Sequence, residues 1–347
     1  MPRSCVPPPL SHAPPLRALS RLYSAGTVLA CEPVDQGLLN RGYRLRTTRG
    51  RYFLKHHFDP DTADPDAIER RHLATSRLAE LGVPVAPPLA SREGRTVAVV
   101  GGHAYALHPW IDGRHRHGGQ LTRTESARLG AVLGAVHTCL EQVMPPKART
   151  RPATSPHPVE SADPAATFAL IDSLLAQVRR HRPADAFDEL ARHRLLERRP
   201  LLERHAHRRP PPGGPVGWVH GDFHPFNLLY QGDVPAAIVD WDRLGVQPRA
   251  EEAVRAAAIF YVRPAGNLDL PKVRAYARAY RRAAGVTSAE LAAAAHRVWW
   301  ERLNDFWMLR WHYERGDTRA DCQFPAASAL SVWWTREYDA VRDAFAE

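Results

Sequence analysis

The chain has 347 residues, 44% of them hydrophobic, which is enough for a sizeable core, and no apolar run nears the roughly 20 residues that span a bilayer. The formal net charge is +10, but arginine supplies nearly all of the basic residues and is spread along the chain rather than gathered in one stripe, which argues against a nucleic-acid partner. Cys5, Cys31, Cys139 and Cys322 form no CxxC pair, which excludes a zinc ribbon or a disulfide framework and fits a reducing compartment.

The N-terminal stretch MPRSCVPPPLSHAPPL is Pro-rich and lacks the continuous apolar core of a signal peptide. Residues 1–20 read as a disordered lead-in to a cytoplasmic protein. Residues 42–46 alternate polar and apolar, residues 47–50 make a turn, and residues 51–55 return as a second strand. A helix is predicted over 66–81, with Ile68, Leu73, Leu78 and Leu81 at roughly helical spacing and Gly82 and Pro84 as stop signals. Residues 96–100 and 105–107 read as two short strands. Residues 124–140 read as a helix with Leu129, Val132, Leu133 and Val136 on one face. His115 and His117 lie in a Gly-flanked loop without a third ligand and read as solvent-exposed rather than metal-binding.

Two short apolar strands follow, 227–230 and 236–240, around a turn at 231–235. From Glu251 onward the sequence is almost entirely helical. Trp300, Trp307 and Trp311 recur at helical spacing and read as a core face. Glu301, Asp305, Glu314 and Asp317 read as salt-bridge partners on an Arg-rich surface.

The hairpin carries the chemistry. Asn227 and Asp240 are equidistant from the turn, and such residues face each other in an antiparallel pair. An amide oxygen and a carboxylate side by side suit Mg²⁺, a hard cation that takes one or two protein ligands plus phosphate and water. Asp222 lies five residues before Asn227, in the loop that enters the hairpin. It approaches the metal site without belonging to it, which is the place for a group that orients and deprotonates an attacking hydroxyl.

The segment HGDFHPFN, residues 220–227, followed by the IVDW of residues 238–241, resembles the catalytic and metal-binding segments of the aminoglycoside phosphotransferase and choline kinase family. The resemblance implies an α+β, bilobal protein-kinase-like fold with a small antiparallel-sheet N-lobe and a mainly helical C-lobe. It implies a nucleotide-binding N-lobe over 21–112 and a catalytic and substrate-binding C-lobe over 113–347. Gly37 to Asn40 resemble the family's nucleotide-covering loop. Lys55, one of only three lysines in the chain, sits where a strand lysine reaches the ATP phosphates, and Glu69 where its carboxylate partner is expected. The backbone around Leu107–Ile111, including Trp110, is where adenine would be received. Leu129–His137 resembles the helix after that hinge. Asp222 becomes the catalytic base, His220 a brace of the loop, and Asn227 and Asp240 the Mg²⁺ ligands.

The sequence departs from the family where a Gly-Asp-Pro and a further Asp often follow the metal carboxylate. Here Gly245-Val246-Gln247-Pro248 is followed by Glu251 and Glu252, which are candidates to replace that brace. The expected reaction is ATP- and Mg²⁺-dependent phosphorylation of a small-molecule hydroxyl on an aminoglycoside or amino sugar. A choline-, ethanolamine- or homoserine-like substrate is the alternative, and a non-catalytic kinase-shaped binding protein the rival of a different class.

Overall fold

The structure is a computed structural model. It describes residues 13–34, 40–58, 63–144, 161–211 and 213–347. In chain order the elements are α1 (Leu16–Leu22), β1 (Val28–Val34), β2 (Arg41–Thr47), β3 (Gly50–His57), α2 (Pro65–Glu80), β4 (Val97–Val100), β5 (His103–Pro109), α3 (Arg123–Val143), α4 (Pro164–Arg180), α5 (Ala186–His205), β6 (Val216–Val219), β7 (Leu228–Gln231), β8 (Val234–Ile238), β9 (Gly245–Pro248), α6 (Arg249–Tyr261), α7 (Leu270–Ala284), α8 (Ser288–Asn304), α9 (Trp307–Arg315), α10 (Phe324–Arg336) and α11 (Tyr338–Ala346). They form two compact units. The first comprises residues 1–116, 139–146 and 220–245, and the second 117–138, 147–219 and 246–347.

The first unit contains a five-stranded antiparallel sheet of order β1-β2-β3-β5-β4. The expected β2–β3 hairpin is present, with Thr47 opposite Gly50 across a two-residue turn. Helix α2 begins as its sequence dictates. Asp64 caps it by accepting from the N–H groups of Asp66 and Ala67, and Pro65 occupies the first turn, where no N–H is needed. Helix α1 corrects the expected disordered lead-in over 1–20 for its last residues, because residues 16–20 are helical. Leu19 and Tyr23 are buried with Leu45, Leu54 and Leu107, and the Tyr23 hydroxyl donates to the carbonyls of Thr96 and Tyr105. A short amphipathic turn with an aromatic anchor outweighs the Pro-rich composition around it.

The second unit is mainly helical, so the expected division into an antiparallel-sheet N-terminal region and a helical remainder is found. The glycines of the 129–137 segment have a packing reason. A Cβ on Gly130 would lie 2.2 Å from the Tyr276 carbonyl oxygen, and one on Gly134 would lie 2.6 Å from Ala283. Helix α3 therefore meets α7 almost backbone to backbone. The tryptophans do not share one helix, because α8 stops at Asn304 and α9 starts at Trp307. Trp300 is buried and donates to the Ala162 carbonyl, whereas Trp307 and Trp311 pack edge to face on α9. Asp305 interrupts the run, its carboxylate accepting from the Trp307 N–H. Glu301, Glu314 and Asp317 pair with Arg255, Arg310 and Arg319. The α4–α5 turn is held to α9 by a hydrogen-bonded network in which Asp188 accepts from His181 and Tyr313 while His312 bonds Asp321.

Gly130→Ala should lower stability by about 1–3 kcal/mol, because the α3–α7 contact has no room for a methyl group. Denaturant unfolding of the whole protein would measure it.

Candidate active site

Every described residue of the predicted site lies in the first unit. Gly37 lies outside the described residues. Lys55 is on β3, paired in register with Gly42 on one side and Ala106 on the other. Its side chain is only 10% exposed, so the ammonium needs counter-charge close by. Two carboxylates supply it. Lys55 Nζ lies 2.6 Å from an Asp240 oxygen and 2.9 Å from an Asp242 oxygen. Burial pulls the lysine pKa down, and the two carboxylates outweigh burial and leave it raised. Burial would likewise push Asp242 up, but Lys55 wins and holds that carboxyl below the ordinary range.

Asp242 was not singled out in the sequence, where it stands as an ordinary acidic residue after IVDW. It also accepts from the Asn40 side-chain amide. His57, itself buried, lies 3.7 Å from Asp242, but burial pushes its pKa down to about 3, so it is neutral and leaves Lys55 as the charge partner.

Glu69 is a correction. It does not pair with Lys55. Its carboxylate accepts from the Arg95 guanidinium at 2.8 Å and from the backbone N–H groups of Thr96 and Val97. Helix α2 thus spends this glutamate on the start of β4. On the same helix, the Arg71 guanidinium adds to Lys55 in holding the Asp242 carboxyl below its ordinary range.

The catalytic-loop segment is fixed by short-range constraints. Gly221 adopts φ +84, and a Cβ there would lie 2.2 Å from the Arg243 carbonyl oxygen. Both the conformation and the space demand glycine. His220 is fully buried. Its Nδ1 accepts from the Asp222 N–H and its Nε2 donates to the Val239 carbonyl at 3.0 Å. That pattern is one of a neutral imidazole with its proton on Nε2, so His220 ties the loop to the residue before Asp240 and has no proton to trade.

Asp222 has a 31% exposed side chain, with His224 Nε2 at 3.5 Å and Arg243 Nε at 3.9 Å. Burial raises its pKa, and His224 followed by Arg243 more than offsets that, so the carboxyl is held below its ordinary value. Asn227 is buried, and its Nδ2 donates to the Asp222 carbonyl at 2.9 Å. The nitrogen is spent on the loop, which leaves the amide oxygen as the atom to offer a cation.

The hairpin register corrects the expected symmetry by one residue. Leu228 pairs with Ile238 and Leu229 with Ala237, but Tyr230 pairs with Pro235 and Gln231 with Val234. The turn is the two residues Gly232 and Asp233, and a register shift follows it. Pro235 has no N–H to give, and Tyr230 exchanges both of its backbone hydrogen bonds with Arg114 on its other side. Asn227 accordingly opposes Val239, whose N–H donates to its carbonyl at 2.9 Å. Asp240 comes one residue later, in the left-handed region at φ +62. A non-glycine residue held there costs about 1–3 kcal/mol, which the surrounding contacts must sustain. The chain then makes a short helical turn, Trp241–Arg243, that brings Asp242 back to Lys55 beside Asp240.

The segment around His115 also differs from the expected exposed loop. Arg114 bridges Tyr230, and His115 Nδ1 bonds the Leu228 carbonyl at 2.9 Å, so these residues flank the hairpin. Trp110 ends the sheet. Its N–H donates to the Arg51 carbonyl, and the Arg44 guanidinium lies 4.9 Å from its ring centre. The Leu107 carbonyl accepts from the Leu89 N–H. Two backbone groups of the segment expected to meet adenine are therefore used by the protein itself. In the second unit, Glu251 pairs with Arg297 and Arg255, and Glu252 bonds His137 at 2.7 Å.

The donor set fits a divalent cation by its chemistry, because Asn227 and Asp240 offer oxygen only, and Asp240 is 41% exposed. Gly221→Ala should cost about 1–3 kcal/mol from the backbone alone, with the clash against Arg243 added. Thermal unfolding should show the loss.

Residues 30–286 match the family model described as a phosphotransferase enzyme family. The chain is 26% identical over 294 residues to the homoserine kinase of Methylobacillus flagellatus, covering 82% of each. Its fold resembles that of an amicoumacin kinase solved in complex with AMP-PNP, Ca²⁺ and Ami, with a TM-score of 0.60, 17% identity, and 94% and 92% of the two chains covered. It also resembles a microcompartment-associated aminopropanol kinase, with a TM-score of 0.62, 16% identity, and 96% and 98% coverage.

Proposed function

The chain belongs to the phosphotransferase enzyme family, and from that premise we propose that it moves the γ-phosphoryl group of ATP to a hydroxyl of a small molecule in the presence of Mg²⁺. The observation that carries this reading is one short segment of chain, residues 220–240, that holds Asp222, kept ionised, Asn227 and Asp240, with the strand lysine Lys55 bonded to Asp240. Lys55 binds the ATP phosphates. Asn227 and Asp240 hold Mg²⁺, which supplies charge neutralisation to the phosphates when bound. Asp222 receives the acceptor hydroxyl and takes its proton, with His224 and Arg243 keeping the carboxylate ionised beforehand. His220 holds the loop to the end of the hairpin. Catalysis on this reading is mostly positioning and electrostatics.

For the acceptor, the relatives favour a small hydroxylated amino acid or amino alcohol of the homoserine type over an aminoglycoside. Homoserine, ethanolamine, aminopropanol and an amino sugar, assayed by ADP release, would rank the classes. Turnover confined to the amino sugar would reverse that preference.

Asp222→Asn should lower kcat by about 10²–10⁴-fold and leave MgATP affinity nearly unchanged. Equal turnover by the variant would remove Asp222 from the role of base.

The pH dependence has a definite sign. A carboxyl held below its ordinary value stays ionised across the neutral range, so kcat/KM should not fall through Asp222 protonation between about pH 8 and pH 5. Arg243→Gln removes a cation that lowers that pKa, and its acid limb should move to higher pH.

A further inference from the structure

We propose that Asp242, rather than any carboxylate of helix α2, is the fixed partner that positions Lys55, and that it also ties the side chain of Asn40, the residue before β2, to the same anion. This rests on the kinase reading of the site. Two observations carry it.

The first is contact. Lys55 Nζ meets Asp242 at 2.9 Å, and the carboxylate that would come from α2, Glu69, is engaged with Arg95 and the backbone N–H groups of Thr96 and Val97. Moving Glu69 to Lys55 would abandon three charge-assisted hydrogen bonds, one of them also an ion pair.

The second is the inequality of the two carboxylates beside the lysine. Asp240 is 41% exposed and Asp242 only 16%. Asp240 is the one able to turn to a cation. Asp242 is enclosed by Lys55, the Asn40 amide and buried His57, and stays. A buried ammonium whose only partner left for the metal would be stranded, so a second, committed carboxylate is what the geometry requires.

The chain has three lysines, so protein labelled with ¹³C at lysine Cε gives three signals, and Lys55→Arg identifies the one that matters. Spectra without nucleotide should show that signal displaced in Asp242→Asn and unchanged in Glu69→Gln. Calorimetric titration with MgATP should show affinity falling about tenfold or more in Asp242→Asn, recovering in large part in Asp242→Glu, and staying within about twofold of wild type in Glu69→Gln. Glu69→Gln should instead lower Tm, by roughly 2 °C for each kcal/mol lost. A Lys55 signal indifferent to Asp242→Asn, or displaced equally by Glu69→Gln, would overturn the proposal. A wild type that binds no MgATP would overturn the kinase reading instead, and the lysine spectra would still decide the part played by Asp242. If Asp242→Asn fails to fold, Asp242→Glu and Glu69→Gln supply the same comparison.

Discussion

A single buried ammonium organises this site. Lys55 sits in the interior of a sheet with almost no access to water, and a charge in that position is tolerable only beside opposite charge. The two carboxylates that answer it, Asp240 and Asp242, are two residues apart on a tight turn after β8. For both to reach the lysine, the backbone must reverse within that turn, and Asp240 accepts a left-handed conformation to do so. The loop before the hairpin is then drawn in by His220, which bonds both Asp222 and the carbonyl of Val239. Gly221 leaves the space into which the carbonyl of Arg243 fits. Strand lysine, acidic turn and catalytic-loop segment are thus consequences of one electrostatic demand met by local backbone geometry.

Much of this was legible in the residues. The β2–β3 turn, α2 with its stop signals, and the 220–240 motif are local patterns, and the structure has them close to where the sequence puts them. The scarcity of lysine in an arginine-rich chain singled out Lys55, and Lys55 is indeed the cation at the acidic turn. Its partner was not legible. Glu69 stands at a suitable place on α2, but Arg95 and the backbone N–H groups of Thr96 and Val97 compete for it, and that competition is invisible until the strand is beside the helix. Asp242 had no motif to mark it.

The hairpin shows a different limit. Counting from the middle of the apparent turn places Asn227 opposite Asp240, and the count is wrong by one because Pro235 enters the strand without an N–H while Tyr230 is bonded to Arg114. A slip of one normally exchanges the two faces of a strand. Here the left-handed residue at 240 follows the end of the ladder and compensates for it. The region after Glu251 is helical, as its composition predicts, but the helix carrying Trp300 does not continue to Trp311. Spacing alone joined Trp300 to Trp311, and the break between α8 and α9 separates them.

The engagement of Glu69 with β4 has a consequence for control. In an enzyme whose lysine is anchored from a mobile helix, moving the helix switches the site off. Here the glutamate is bonded to the strand beside it and the lysine takes its anchors from the turn after β8, so a shift of the helix would leave those anchors in place.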